Sequence, residues 1–142
     1  MIGLYGLAGV LLFAGLGHLG NPEEFLAQVP RWFPARDAVV LVSGFVEIAL
    51  AIALVAARRH RAQIGWIVAA YFVAVFPGNI SQYVTHTDAF GLDSDTARAV
   101  RLLFQPVLVA WALWSTGAWR DWRAGQAKRR ATKQGQMITP AG

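Results

Sequence analysis

Four stretches of this chain are long and almost free of charge: Met1–Leu19, Ala38–Ala57, Ala62–Val84 and Leu102–Trp119. A helix needs about 20 apolar residues to cross the hydrocarbon core of a bilayer, with a range of roughly 17–25. All four runs fit that length, and none has the polar face that a helix of a soluble core would carry. Charged residues make up only 15% of the chain, against about 25% in soluble domains. The pattern predicts an all-α integral membrane four-helix bundle. Its spans fall at about residues 2–19, 38–57, 62–84 and 99–119, inside one membrane domain of residues 1–124.

The connections set the orientation. Arg58, Arg59 and Arg61 lie between the second and third runs, and Arg120, Arg123, Lys128, Arg129, Arg130 and Lys133 follow the fourth. Those nine of the thirteen Lys and Arg residues share one side of a four-span topology; Arg31, Arg36, Arg98 and Arg101 take the other. The positive-inside rule therefore puts both termini in the cytoplasm and the first and third connections outside. Trp111, Trp114 and Trp119 would mark the inner border, and Trp32, Phe33 and Tyr83 the outer one. Met1–Gly20 has no basic residue ahead of its apolar run and no clear cleavage site, so it reads as a retained span rather than a signal peptide.

The basic excess does not point to nucleic acid, because it sits beside membrane spans. The absence of cysteine excludes disulfides, thiolate metal sites and cysteine nucleophiles in this sequence. Asn21-Pro22-Glu23-Glu24 has the order of a helix start, predicting a short interfacial helix that ends before Pro30. Ser94 or Asp95 would cap the fourth span. From Gly125 to Gly142 the chain is rich in Lys, Arg, Gln and Thr with no apolar face, and is expected to be a basic tail without a fixed fold. Gly3, Gly6, Gly9, Gly15 and Gly17 recur along the first run, where small residues let helices approach closely within the bundle or between copies.

Glu47 is the one charged residue inside the second run. A carboxylate at that depth is costly and usually faces a partner, cavity or substrate. At 1.5 Å per residue, Ser43 and Glu47 lie roughly 8 Å and 14 Å below the outer edge, on one helix face. His18 reaches the outer end of the first span. Asn79 lies in the outer half of the third, and Arg101 and Gln105 share a face in the outer half of the fourth. Every strongly polar residue of the spans thus converges on the outer half. The reading is a polar pocket in which Glu47 handles a proton and His18, Ser43, Asn79, Arg101 and Gln105 bind a small lipid-soluble ligand. Each has a structural alternative: Glu47 and Arg101 as a locking ion pair, Asn79 and Gln105 as repairs beside Pro77 and Pro106, His18 as a solvated end residue. No metal-ligand spacing is present.

Several stretches together resemble the DoxX family of small four-helix membrane proteins. They are Gly15-Leu16-Gly17-His18, Val29-Pro30-Arg31-Trp32-Phe33-Pro34, Ser43-Gly44-Phe45-Val46-Glu47-Ile48, Val75-Phe76-Pro77-Gly78-Asn79-Ile80 and Arg101-Leu102-Leu103-Phe104-Gln105. The match runs from about Gly3 to Trp114, with Gly78 where an alanine is expected and Leu19 where an aromatic often follows the histidine. That resemblance implies a multi-pass protein of a bacterial inner (plasma) membrane. An Ala- and Arg-rich composition agrees with such a source. It also implies work beside redox enzymes, since the family is named for a subunit linked to thiosulfate:quinone oxidoreduction. A quinone is then the expected ligand and a membrane-associated oxidoreductase the expected partner, because no flavin, haem or iron–sulfur signature occurs in the chain. Related animal proteins act in receptor assembly, so the competing expectation is a non-catalytic scaffold whose polar network is structural. Nothing in the sequence sets the oligomeric state.

Overall fold

Helices make up all the regular structure of the residues described by the computed structural model, 2–89, 91 and 94–138. Met1, Phe90, Leu92, Asp93 and residues 139–142 lie outside them. In chain order the helices are α1 (Ile2–Gly20), α2 (Pro22–Leu26), α3 (Arg36–Ala56), α4 (Arg61–Val84), α5 (Asp95–Ser115) and α6 (Ala118–Ile138). Four of them, α1, α3, α4 and α5, are long and apolar enough to cross a membrane. They run up and down in turn. Trp111 near the end of α5 donates to Gly3 O at the start of α1 (2.9 Å), while Gln105 higher in α5 meets Asn79 high in α4.

Each long helix buries a narrow stripe. In α3 it is Val40, Gly44, Glu47, Leu50, Ala51 and Leu54, at the three- and four-residue spacing of one helix face. Glu47 belongs to that stripe, so it points inward. Away from the stripes, large apolar side chains are open, among them Phe13, Phe45, Leu103 and Trp114. A soluble monomer rarely exposes so much apolar surface; four helices long and apolar enough to cross a membrane carry it. The apolar core, with Leu7, Leu11, Leu54 and Val68 at its centre, fills the half of the bundle near the Arg58–His60 turn.

α1 and α3 meet almost backbone to backbone. A Cβ on Gly15 would lie 2.8 Å from Gly44 O, and one on Gly44 would lie 2.8 Å from His18 Cβ. This contact brings His18 alongside Glu47. At the other end, Gly117 at φ +77° reverses the chain and separates α5 from α6.

Three local expectations change. The fourth span stops at Ser115, not at Trp119, because Thr116 and Gly117 form the reversal; Trp119 belongs to α6, where it stacks on Trp122 at 5.0 Å. The residues from Gly125 to Ile138 are helical rather than without fixed structure. Ala, Lys, Arg and Gln are strong helix formers, and that propensity acts without an apolar face. The Asn21 side chain makes no cap bond, although α2 ends before Pro30, at Leu26, and Pro22 holds its first position, both as expected. Ser94 is the residue that caps α5, accepting from Ala97 N at 3.2 Å.

The glycine contact predicts opposite signs for two similar substitutions. Gly44→Ala should lower the stability of the detergent-purified protein by about 1–3 kcal/mol, because backbone and the His18 Cβ must move. Gly9→Ala, with nothing within 4 Å, should be neutral or stabilising by up to about 1 kcal/mol. Thermal melts of the two variants side by side check this.

Candidate functional site

A cavity of about 500 Å³ opens in the half of the bundle away from the apolar core. All six residues singled out in the sequence line it: His18 from α1, Ser43 and Glu47 from α3, Asn79 from α4, and Arg101 and Gln105 from α5. The rest of the wall is mostly apolar, with Val10, Leu11, Val40 and Phe72 among its residues. The segment between α1 and α3 makes the roof through Phe25, Gln28, Val29, Pro30, Trp32 and Phe33. Arg36 ties that segment down by donating to the carbonyls of Leu26 and Val29. Gly78 makes room beneath it, since a Cβ there would sit 3.0 Å from Gln28 O.

Glu47 is 7% exposed. Its Oε1 accepts from the Tyr71 hydroxyl at 3.0 Å, and its Oε2 lies 3.1 Å from His18 Nδ1. That nitrogen also lies 2.9 Å from Ala14 O, one turn back on α1. It has one proton to give, and the direction favours the carbonyl. Oε2 is therefore in ion-pair range of the imidazole yet takes no hydrogen bond while buried. Phe25 covers one face of the imidazole, with ring centroids 3.7 Å apart. Ser43 stands beside the Tyr71 hydroxyl.

The expected Glu47–Arg101 pair is not formed; Arg101 lines the same cavity, but His18 and Tyr71 are the close contacts of the carboxylate. Depth along a helix sets which residues share a level. Rotation about the helix axis decides which of them touch, and α3 turns Glu47 towards α1 and α4. Asn79 and Gln105 bond each other instead. Asn79 Nδ2 donates to Gln105 Oε1 at 3.0 Å, and Gln105 Nε2 donates to Phe72 O at 2.7 Å, in the turn of α4 that leads to Pro77. These bonds brace α4 against α5.

Two functional candidates escaped the sequence reading. Tyr71 sits in mid-span, and a buried tyrosine hydroxyl usually needs a partner; that signal was available. Gln28 carries a buried Nε2 with no hydrogen bond at the roof of the cavity. Nothing periodic marks it, because it lies in an irregular connection. Two residues that line the cavity, Glu47 and Gln28, thus each carry a buried polar atom without a hydrogen bond, Oε2 and Nε2. The cavity volume falls in the roughly 300–1,000 Å³ range of small-molecule sites.

The family model of a domain of unknown function, DUF8561, matches residues 7–116. The chain belongs to that family. Neither a curated protein nor a solved structure matches it. The DUF8561 match covers α1 from Leu7 onward, the whole of α3, α4 and α5 and every residue of the cavity, and it stops at the reversal before α6.

The Asn79–Gln105 brace makes a double-substitution prediction. Gln105→Leu strands Asn79 Nδ2 and should cost about 1–3 kcal/mol of stability. Asn79→Leu combined with Gln105→Leu removes both polar groups and should recover most of that loss. Denaturant or thermal melts of the single and double variants measure it.

Proposed function

We propose that this protein spans a bacterial plasma membrane with both termini and the Arg58–Arg61 turn on the cytoplasmic side, and that its outer-half cavity binds a small lipid-soluble molecule. The observation that carries the proposal is Glu47 Oε2. A buried carboxylate oxygen without a hydrogen bond costs several times more than it would in water. A hydroxyl or N–H on a bound ligand would remove that cost. The apolar wall suits the body of such a molecule, and Gln28 Nε2 suits a carbonyl or ether oxygen on it.

A quinol head group offers this chemistry on an apolar ring: one hydroxyl can donate to Glu47 Oε2, and the oxygen of the other can accept from Gln28 Nε2. The resemblance to the DoxX family supports the same ligand class and a redox partner at the membrane. In this reading Glu47 accepts the hydrogen bond or proton of the ligand hydroxyl. His18 and Tyr71 hold its carboxylate in place, Ser43 positions Tyr71, and Arg101 adds positive charge to the same cavity. Electrons leave to a membrane-associated oxidoreductase. The competing reading is a scaffold with a structural polar network. It is favoured by the Asn79–Gln105–Phe72 bonds, which are complete without any ligand.

Organic extracts of the detergent-purified protein should contain a stoichiometric small molecule, and added short-chain benzoquinol should raise the melting temperature. Glu47→Gln should fold but lose at least about tenfold in affinity, the equivalent of one hydrogen bond to a charged group. No extractable molecule and no benzoquinol shift in a well-folded protein would favour the scaffold instead.

The topology has a separate test, made simple by the lack of native cysteine. Ser94→Cys should react with a membrane-impermeant maleimide in intact cells, while Gln126→Cys should react only after lysis. The reverse pattern would invert the orientation.

A further inference from the structure

A second cavity, about 400 Å³, lies at the opposite end of the bundle. It forms where two chain reversals meet beside the start of α1. Arg58 and Arg59 come from the single helical turn between α3 and α4, and Arg61 from the first residue of α4. Ser115 and Thr116 close α5, and Arg120 and Asp121 come from the first turn of α6. The glycine reversal shapes one side: Arg120 folds back until its Nη2 lies 3.1 Å from where a Gly117 Cβ would stand. Thr116 packs against Gly65, which fixes the start of α4 against the end of α5.

Four guanidinium groups thus face one carboxylate. Among the described residues none of the four pairs with an acid, Asp121 included. Arg61 Nε and Ser115 Oγ are buried there and make no hydrogen bond. The positive-inside rule accounts for arginines at this end of the bundle. It does not account for their gathering round a hollow, or for burying a guanidinium nitrogen and a hydroxyl without partners, each of which costs free energy.

We propose that this cavity binds a phosphate group, as a monoester, a diester or the free ion. Arg61 Nε and Ser115 Oγ donate to its oxygens, and Arg58, Arg59 and Arg120 surround its charge. A tetrahedral anion with several acceptor oxygens matches this set better than a carboxylate, which a single guanidinium fork already satisfies. Basic pockets between membrane helices commonly hold lipid headgroups, so an anionic phospholipid is one source and soluble phosphate the other. The site is independent of the outer cavity and of any ligand there.

Melts of the full-length protein in dodecyl maltoside, followed by tryptophan fluorescence, test this. One arm titrates phosphatidylglycerol against phosphatidylcholine. The other titrates sodium phosphate against sodium chloride at equal ionic strength. Stabilisation in the first arm alone identifies a lipid headgroup, and stabilisation in the second a free phosphate. Arg61→Lys keeps the charge but loses Nε, and Ser115→Ala loses the hydroxyl; each should weaken binding about tenfold. A tail variant, Lys128→Gln with Arg129→Gln and Arg130→Gln, should bind as the parent does. The proposal falls if neither arm stabilises the protein, if Arg61→Lys and Ser115→Ala both bind normally, or if the tail variant loses as much as they do.

Discussion

A carboxylate buried in the middle of α3 constrains how the helices can meet. Glu47 cannot face lipid or the apolar core without large cost. It takes a hydrogen bond from Tyr71 of α4 and lies within ion-pair distance of His18 of α1. For His18 to come that close, α1 and α3 must nearly touch, and Gly15 and Gly44 are the residues that allow it. The polar centre and the small-residue crossing are thus one device. Neither would be useful without the other. A Cβ at the crossing would push away the imidazole that the carboxylate needs.

The two ends of the bundle are built on different principles. Near the Arg58–His60 turn, leucines and valines fill the interior and leave the polar groups to a rim of arginines. Away from it, the interior is hollow and its polar groups divide into two sets. Asn79, Gln105 and Phe72 O complete one another and need nothing further. Glu47 Oε2 and Gln28 Nε2 are left open. A network meant only to lock helices would be expected to satisfy all its members, since every orphan weakens the lock. The closed set is enough to hold α4 against α5; the proposed ligand site rests on the open set.

Much of this could be read from the chain because depth in a membrane helix is nearly one-dimensional. Residue number times helical rise, with direction alternating from span to span, put His18, Ser43, Glu47, Asn79, Arg101 and Gln105 in one half of the bundle, and all six line one cavity. Azimuth was the harder quantity. The apolar runs carry little amphipathic pattern, so nothing told which face of α3 met which neighbour, and Arg101 was paired with Glu47 on depth and charge. Gln28 was missed because a connection folding back over the bundle has no period to read. Helix α6 was missed because the absence of an apolar face argued against folding, while residue propensity argued for it.

The family match ends at Thr116, one residue before the reversal that makes the second cavity possible. The cavity around Glu47 therefore lies wholly within the matched stretch, whereas the basic one draws Arg120 and Asp121 from beyond it and Leu4 from before it. A site assembled across that border depends on how α6 leaves the bundle. Gly117 sets the exit, with a backbone angle that other residues rarely adopt. Ala118 is fully buried immediately after it, which anchors the first turn of α6 and with it Arg120. An anion held among Arg61, Ser115 and Arg120 would in turn bind the ends of α4, α5 and α6 together. Its effect would then be mechanical as well as electrostatic: it would fasten an otherwise solvent-exposed helix to the four that form the bundle.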